Sequence, residues 1–262
     1  MNNVHIQYAT TCIFCQSILP YAYDVCTKYI NCEDIFRACL FPEDTVKYFS
    51  NLQDGGHPMA KATPMDIPGI HVPKTRQGIA KFHLLLQAAE KLFSTRSFFE
   101  VSVSDICKEA HTAVGTFYIY FDSKKDIYRY LVEQYKSQIK HILAESIKNC
   151  TTRAQMEREG IKCFVRYAVE NPSIYHIVWG SLAVAKEIFE DYYVSFAKSY
   201  ARALANAENQ LKVEDITTTA YLLMGITNFL GLRAIFEQMD EAQIDAALDK
   251  AVMPILEKGM FR

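Results

Sequence analysis

Apolar residues recur at helical spacing through most of this chain, and the sharpest short pattern lies at residues 102–121, SVSDICKEAHTAVGTFYIYF. Val103, Ile106, Cys107 and Ala110 stand at i, i+3, i+4 and i+7, one apolar face of a two-turn helix. Ser102 opens that helix, and Asp105 three residues on completes the spacing of a capping box. A second helix is predicted from near Thr112 or Ala113, with Phe117 and Phe121 four apart on its buried side. Its other face carries Ala113, Val114, Thr116 and Tyr118, with small Gly115 among them.

Longer helices are predicted on both sides. Upstream, one spans about 75–94, with Ile79, Phe82, Leu86, Ala89 and Phe93 as its buried stripe. Lys74, Arg76 and Lys81 lie at its start, placed either to meet a nucleic-acid backbone or simply to be solvated. Downstream, Ser123 and Asp126 form another capping box. The helix they open is predicted to run to about residue 148, with Ile127, Leu131, Tyr135, Ile139 and Ile142 on one side. Further helices are predicted over 153–169, 182–208, 216–238 and 240–253, the last ending before Pro254. Between the first two of these, Asn171 and Pro172 read as N-cap and first residue of a helix with Tyr175, Val178 and Trp179 inward. Gly225 and Gly231 permit a close neighbour. No strand-like alternation appears in this half, so the predicted fold class is all-α.

A short helix pair with one buried and one presented face is the helix-turn-helix plan, whose second helix enters the major groove of DNA. The flanks add a resemblance. Ala88-Ala89, Leu92-Phe93, Val103, Asp105-Ile106, Ala110, Gly115-Thr116, Tyr118, Phe121 and Ser123-Lys124 match, in order and without a gap, the DNA-binding domain of the TetR family of transcriptional regulators. The resemblance spans about residues 79–139. Three positions depart: His111 stands where the family usually has Gly in the turn, Val114 where it often has a basic or polar residue, and Ser97 where it has Gly. The resemblance implies a DNA-facing set of Ser102, Thr112, Ala113, Val114, Gly115, Thr116, Tyr118, Ile119 and Lys124, with Tyr118 and Lys124 on the backbone. His111 is expected at positive φ, which His tolerates better than a β-branched residue does. Val114 has no donor for guanine, so its methyls offer at most contact with a thymine methyl.

Charge agrees in distribution, not in sum. Net charge is −2 over 262 residues. Residues 74–125 hold 8 Lys and Arg against 5 Asp and Glu, while 1–73 hold 4 against 7 and 126–262 hold 16 against 18. Only the segment with the helix pair is positive, as phosphate binding requires. No segment is read as reaching the ~18 apolar residues of a membrane span. The first residues lack the basic region of a secretory signal, so a cytoplasmic protein with reduced thiols is expected.

Residues 1–53 form a cysteine-rich extension, with Cys12, Cys15, Cys26, Cys32 and Cys39 among the chain's eight cysteines. Cys12 and Cys15 have the spacing of a zinc knuckle that His5 or Cys26 would complete, but no second knuckle follows. Free thiols, metal and a redox switch stay open. Phe41-Pro42-Glu43-Asp44 reads as a helix start, with Val46, Phe49 and Leu52 behind it. Residues 54–73 hold four of eight prolines and three of ten glycines, and are expected as a mobile or extended linker. Met59 and Met65 within it are alternative starts, so the extension is read as native or as an over-long start. The helix-turn-helix domain then covers 74–125 and the helical half 126–262.

In the resembled family the last half dimerises through its last long helices and encloses a small-molecule pocket. Tyr167, Tyr175, His176, Trp179, Phe189, Tyr193 and Phe196 have the aromatic density for such a pocket, or are packed core. Asn228 is either a pocket amide or a dimer hydrogen bond. The reading is a homodimeric repressor of a palindromic DNA operator, released by a small molecule. The alternative keeps DNA binding but makes the N-terminal cysteines sensors of metal or oxidant. No nucleophile–base pair, phosphate loop or metal set is visible in the helical half, so neither an enzyme nor a cofactor is expected. His83, His111, His141 and His176 share no metal spacing.

Overall fold

A computed structural model of the protein describes residues 67–261. Cys12, Cys15, the rest of the cysteine-rich extension and the helix expected after Phe41 lie outside the described residues.

The described residues are helical, with two isolated bridges, Ile70 to Phe121 and Leu211 to Phe261, as their only β contacts. Helix α1 is Arg76–Phe93, capped by Thr75, whose Oγ1 accepts from the Gly78 amide at 3.1 Å. A short 3₁₀ turn, Phe98–Glu100, leads to α2, Val103–Glu109, and then α3, Val114–Tyr120. Helix α4, Lys124–Ile147, carries the chain into α5, Arg153–Glu170. There follow α6, Ser173–Val184, α7, Lys186–Ala205, and α8, Ile216–Phe236. The closing helix is interrupted: α9, Glu241–Ala247, passes through a π turn, Leu248–Val252, into α10, Met253–Gly259.

Two apolar clusters hold these helices. The first runs from Phe82, Leu85 and Phe93 of α1 through Ile106, Phe117 and Phe121 to Leu131 and Tyr135 of α4 and Ile177 of α6. The helix pair and the start of the helical half therefore share one core. The second joins α5, α8 and the closing helix around Ile161, Leu223 and Leu248.

Several boundaries differ from the sequence pattern. Ile79 is 41 % exposed instead of joining the α1 stripe, because the buried layer stops one turn later at Phe82, which stacks on Phe121 at 4.9 Å. The helix expected from residue 182 begins later: α6 runs to Val184, and Ala185 breaks the path with φ −165 and ψ 109. Nothing local marks that break; the Ala185 side chain is buried in the core while its backbone turns. Asn171 does not cap α6. Its Nδ2 turns back to the Tyr167 carbonyl at 2.9 Å, closing α5 instead. Pro254 does not stop the last helix either, since the wide π turn before it removes the need for its missing N–H. By length and composition, Ile216–Phe236 is also apolar enough to cross a membrane, with 33 % of that stretch buried inside this chain.

Candidate DNA interface and internal cavity

The α2–α3 unit is built by its ends. The Asp105 amide donates to Ser102 Oγ at 3.0 Å, and the Ser102 amide donates to Asp105 Oδ2 at 2.9 Å, a reciprocal cap. The Ser102 hydroxyl and amide hold the Asp105 carboxyl below its ordinary range. Helix α2 closes on a Schellman motif: Thr112 N–H donates to the Cys107 carbonyl at 2.9 Å and His111 N–H to Lys108 at 3.2 Å. His111 takes the left-handed position of that motif, φ 51, as expected.

This turn sets the outward face of α3. Val114, Tyr118 and Ile119 are 43 %, 53 % and 61 % exposed, and a Cβ on Gly115 would meet nothing within 4 Å. Ala113 and Ser102 are also exposed, and Thr116 is half-buried. On the inner side Phe117 and Phe121 are fully buried, and Tyr120 meets Phe82 edge-on at 5.7 Å. Lys74, Arg76 and Lys81 are exposed beside α1's first turns.

Two expected DNA-facing residues point elsewhere. The Thr112 hydroxyl is buried under the turn, against the Cys107 thiol, because the Schellman closure folds residue 112 inward. Burial in turn pushes the Cys107 thiol up from its ordinary value. Lys124 is the larger correction. Its Nζ donates to the carbonyls of Phe98 and Val101, each at 2.6 Å, and lies 4.1 Å from the Phe98 ring centre. Those carbonyls close a 3₁₀ turn too short to satisfy them itself, so the ammonium is drawn to them and away from the outer face. Burial lowers its pKa from the ordinary lysine value.

In the helical half, α5, α6, α7 and α8 enclose a cavity of about 10 Å³. Its lining is Phe164, Ile174, Tyr175, Val178, Trp179, Tyr192, Tyr193 and Asn228, without a charged group. Two bonds cross its lining: Trp179 Nε1 donates to the Tyr193 hydroxyl at 2.7 Å, and the Tyr175 hydroxyl to the Asn228 carbonyl at 2.8 Å. A Cβ on Gly231 would come within 2.4 Å of that Tyr175 oxygen, so this glycine is needed for the approach.

Of the aromatic set read from sequence, Tyr175, Trp179, Tyr193 and Asn228 meet at this cavity. Asn228 spends its amide on the Met224 carbonyl of its own helix, at 2.8 Å. Tyr167 instead donates to Gln138 at 2.8 Å, and His176 is exposed on the outer side of α6. Phe189 packs on Tyr193 and Phe196 on Tyr192, a layer behind the lining. Phe164, Ile174, Val178 and Tyr192 line the cavity from outside that set. Ile174 and Val178 share the spacing of Tyr175 and Trp179, a signal the sequence does carry; Phe164 and Tyr192 carry none. Among the described residues no group of three or more His, Cys, Asp or Glu is placed to hold a metal.

Comparison with known proteins identifies the helix pair. The family described as bacterial regulatory proteins, tetR family, matches residues 85–131. The regulator EthR of Mycobacterium tuberculosis is 27 % identical over 156 residues, covering 58 % of this chain and 72 % of that protein. The uncharacterized regulator YvdT of Bacillus subtilis is 47 % identical over 53 residues, covering 20 % of this chain and 26 % of that protein. The transcriptional regulator FadR of Bacillus subtilis, solved in complex with stearoyl-CoA, has the same fold at a TM-score of 0.57. That match has 17 % identity and covers 67 % of this chain and 97 % of that one.

Proposed function

We propose that this chain, a DNA-binding transcriptional regulator of the TetR family, is a cytoplasmic repressor. On this reading it binds a pseudo-palindromic operator as a homodimer and is released by a small molecule held between α5 and α8. The observation that carries the reading is the outward face of α3, apolar and uncovered on a helix whose other side is fully packed. Ser102, Ala113, Val114, Gly115, Thr116, Tyr118 and Ile119 form the DNA-facing set. Thr112 and Lys124 hold the frame that presents them. Two copies would set their α3 helices in successive major grooves, about 34–36 Å apart.

A second copy is favoured by α8. Leu222, Phe229 and Phe236 recur there on one side at 64 %, 68 % and 78 % exposure, with Ile255 of α10 at 68 %. Large apolar side chains in such a stripe mark a protein interface. Gly225 stands between Leu222 and Phe229 with open space at its Cβ, leaving room for a facing helix.

The effector we infer is apolar and uncharged, with a group able to bond a tyrosine hydroxyl or an indole N–H, because the lining carries no charge to neutralise one. At about 10 Å³ the cavity has room for roughly one water, so the effector must part Trp179 from Tyr193. Helix α6 would then move against α4, to which the Tyr128 hydroxyl binds it through the Ile177 carbonyl at 2.6 Å. An effector shifts DNA binding only by its differential affinity for the two arrangements.

The test has two arms. Selection of duplexes from a random pool should enrich a sequence with two-fold symmetry. Trp179 is the only tryptophan in the chain, so a screen of neutral apolar compounds should find ones that change its fluorescence and release that duplex. Enrichment of no sequence would defeat the operator; fluorescence changes that never alter DNA binding would defeat the release.

A further inference from the structure

Helix α3 ends without a left-handed capping turn. Phe121 follows its last residue with φ −136 and ψ 126, an extended conformation, where α2 closes on a left-handed turn. The last carbonyls of a helix need donors from somewhere. Here a segment some fifty positions earlier supplies one: the His71 amide donates to the Tyr120 carbonyl at 2.8 Å. The Asp122 amide donates back to the Gly69 carbonyl at 3.0 Å, which makes the antiparallel bridge of Ile70 with Phe121.

Side chains fasten the same segment. Ile70 is buried in the core with Phe121. His71 Nε2 lies 2.9 Å from Asp122 Oδ1 on the outside, and Arg129 Nη1 reaches the Pro68 carbonyl at 3.4 Å. Gly69 takes φ 83, and a Cβ there would stand 2.8 Å from the carboxyl carbon of buried Asp126. Only glycine lets the backbone lie this close to the first turn of α4. The end of the run read as a linker is thus extended and docked.

We propose that residues 68–72 are a strap that caps the recognition helix from outside and fixes its angle to the groove, with Gly69 and His71 as positioning residues for operator reading. The proposal rests on α3 being the DNA-reading helix. A seven-residue helix cannot hold itself and takes its direction from what it is packed on. Phe117 and Phe121 fix its inner side; among the described residues the strap alone bonds its last carbonyl. Tyr118 and Ile119, the most exposed large side chains of the presented face, stand two residues and one residue before Tyr120, so a tilt at that end moves both directly. The His71 clasp also holds the Asp122 carboxylate at the edge of the face that would meet phosphates.

The experiment separates the backbone bond from the side chain in the full chain. His71→Pro removes the donor to Tyr120 and the imidazole; His71→Ala removes only the imidazole. Each is titrated with a duplex enriched from a random pool by wild type and with a scrambled duplex. His71→Pro should lower the ratio of the two affinities by about fivefold or more, the worth of one backbone hydrogen bond. Gly69→Val should follow it, and His71→Ala should stay within about twofold, because the ion pair is exposed. A wild-type ratio in His71→Pro overturns the strap. Amide exchange on wild type closes the case where a variant does not fold: Asp122 N–H should be protected, and exchange at the free-chain rate overturns the strap whatever the variants do. A wild-type protein that enriches no duplex, yet protects Asp122, refutes the DNA reading and not the docking.

Discussion

The hydroxyl of Tyr135, midway along α4, is bonded to the Glu90 carboxylate of α1, and the same oxygen lies 2.9 Å from Ser173 Oγ at the start of α6. Three helices meet there: one from the helix-turn-helix half, the long connector, and the helix that lines the cavity. Burial and the Glu90 charge lift the Tyr135 hydroxyl far above its ordinary pKa, so it stays a donor throughout the working pH range. Tyr135→Phe would leave Glu90 without that donor. It should cost about 1–3 kcal/mol in urea unfolding, and Ser173→Ala less, since the alcohol only shares the oxygen. An unchanged urea midpoint in Tyr135→Phe would show that the node does not tie these helices together.

Lys124 is expected to act on the domain's stability more than on its grip. Its ammonium makes two carbonyl bonds and covers the Phe98 ring. Lys124→Ala should destabilise the fold by roughly 1–2 kcal/mol, the range for bonds to a partly exposed charged group. The salt dependence of DNA binding should change by less than the roughly one ion that a lost phosphate contact would give. Tyr118→Phe, by contrast, should weaken binding to all duplexes alike without altering thermal stability, since the Tyr118 ring is exposed. A full one-ion drop in slope for Lys124→Ala would put its ammonium on a phosphate after all.

Phe229 tests the α8 stripe. Phe229→Glu adds a charge where 68 % of the side chain meets solvent in the single chain, so it should not unfold the protein. It should convert a dimer to monomers in sedimentation at micromolar concentration, because an unpaired buried carboxylate costs several kcal/mol at an interface. DNA affinity should fall with it, since one half-site remains. A variant that sediments as wild type would mean that the stripe faces something other than a second copy.

His111 is legible in the sequence because its constraint is local. A turn between two short helices needs one left-handed residue, and His111 takes it with φ 51. The capping box at Ser102 and the N-cap at Ser123 are local for the same reason, although the Asp126 carboxylate accepts from the Ser123 hydroxyl and leaves the second half of the box expected there unmade. Pattern and structure part where distant contacts decide. The ammonium of Lys124 is drawn in by carbonyls 23 and 26 residues away, which no helical spacing displays. The break at Ala185 lies in a run of good helix formers and is set by burial. In the aromatic set, composition marks the right helices but not their rotation, so Trp179 lines the cavity while His176, three residues before it, faces solvent.

The same locality makes His111→Gly a clean stability test. A non-glycine residue at positive φ carries roughly 1 kcal/mol of Cβ strain. Glycine removes that strain and returns part of it through a freer unfolded chain. The variant should melt at the wild-type temperature or a few degrees higher, within about 1 kcal/mol. A marked fall would mean that the imidazole makes a contact worth more than the strain.

Val114 is where this chain departs from the family it resembles, on the face of α3 proposed to meet bases. It opens α3, is 43 % exposed, and follows Ala113, whose side chain offers no cap to compete for space. In the first turn of a recognition helix a side chain points at base edges or at the backbone beside them. Valine has no donor for guanine O6 or N7, but its methyls can pack on a thymine methyl, and a good direct contact discriminates by about 1–3 kcal/mol. The enriched half-site should therefore carry thymine opposite this position. Val114→Arg should replace that preference with guanine and leave the other positions of the half-site unchanged. Pool selection run on both proteins gives the answer. If wild type and Val114→Arg enrich the same base at every position, Val114 does not face the bases, and the register of α3 in the groove must be turned so that Tyr118 or Ile119 leads.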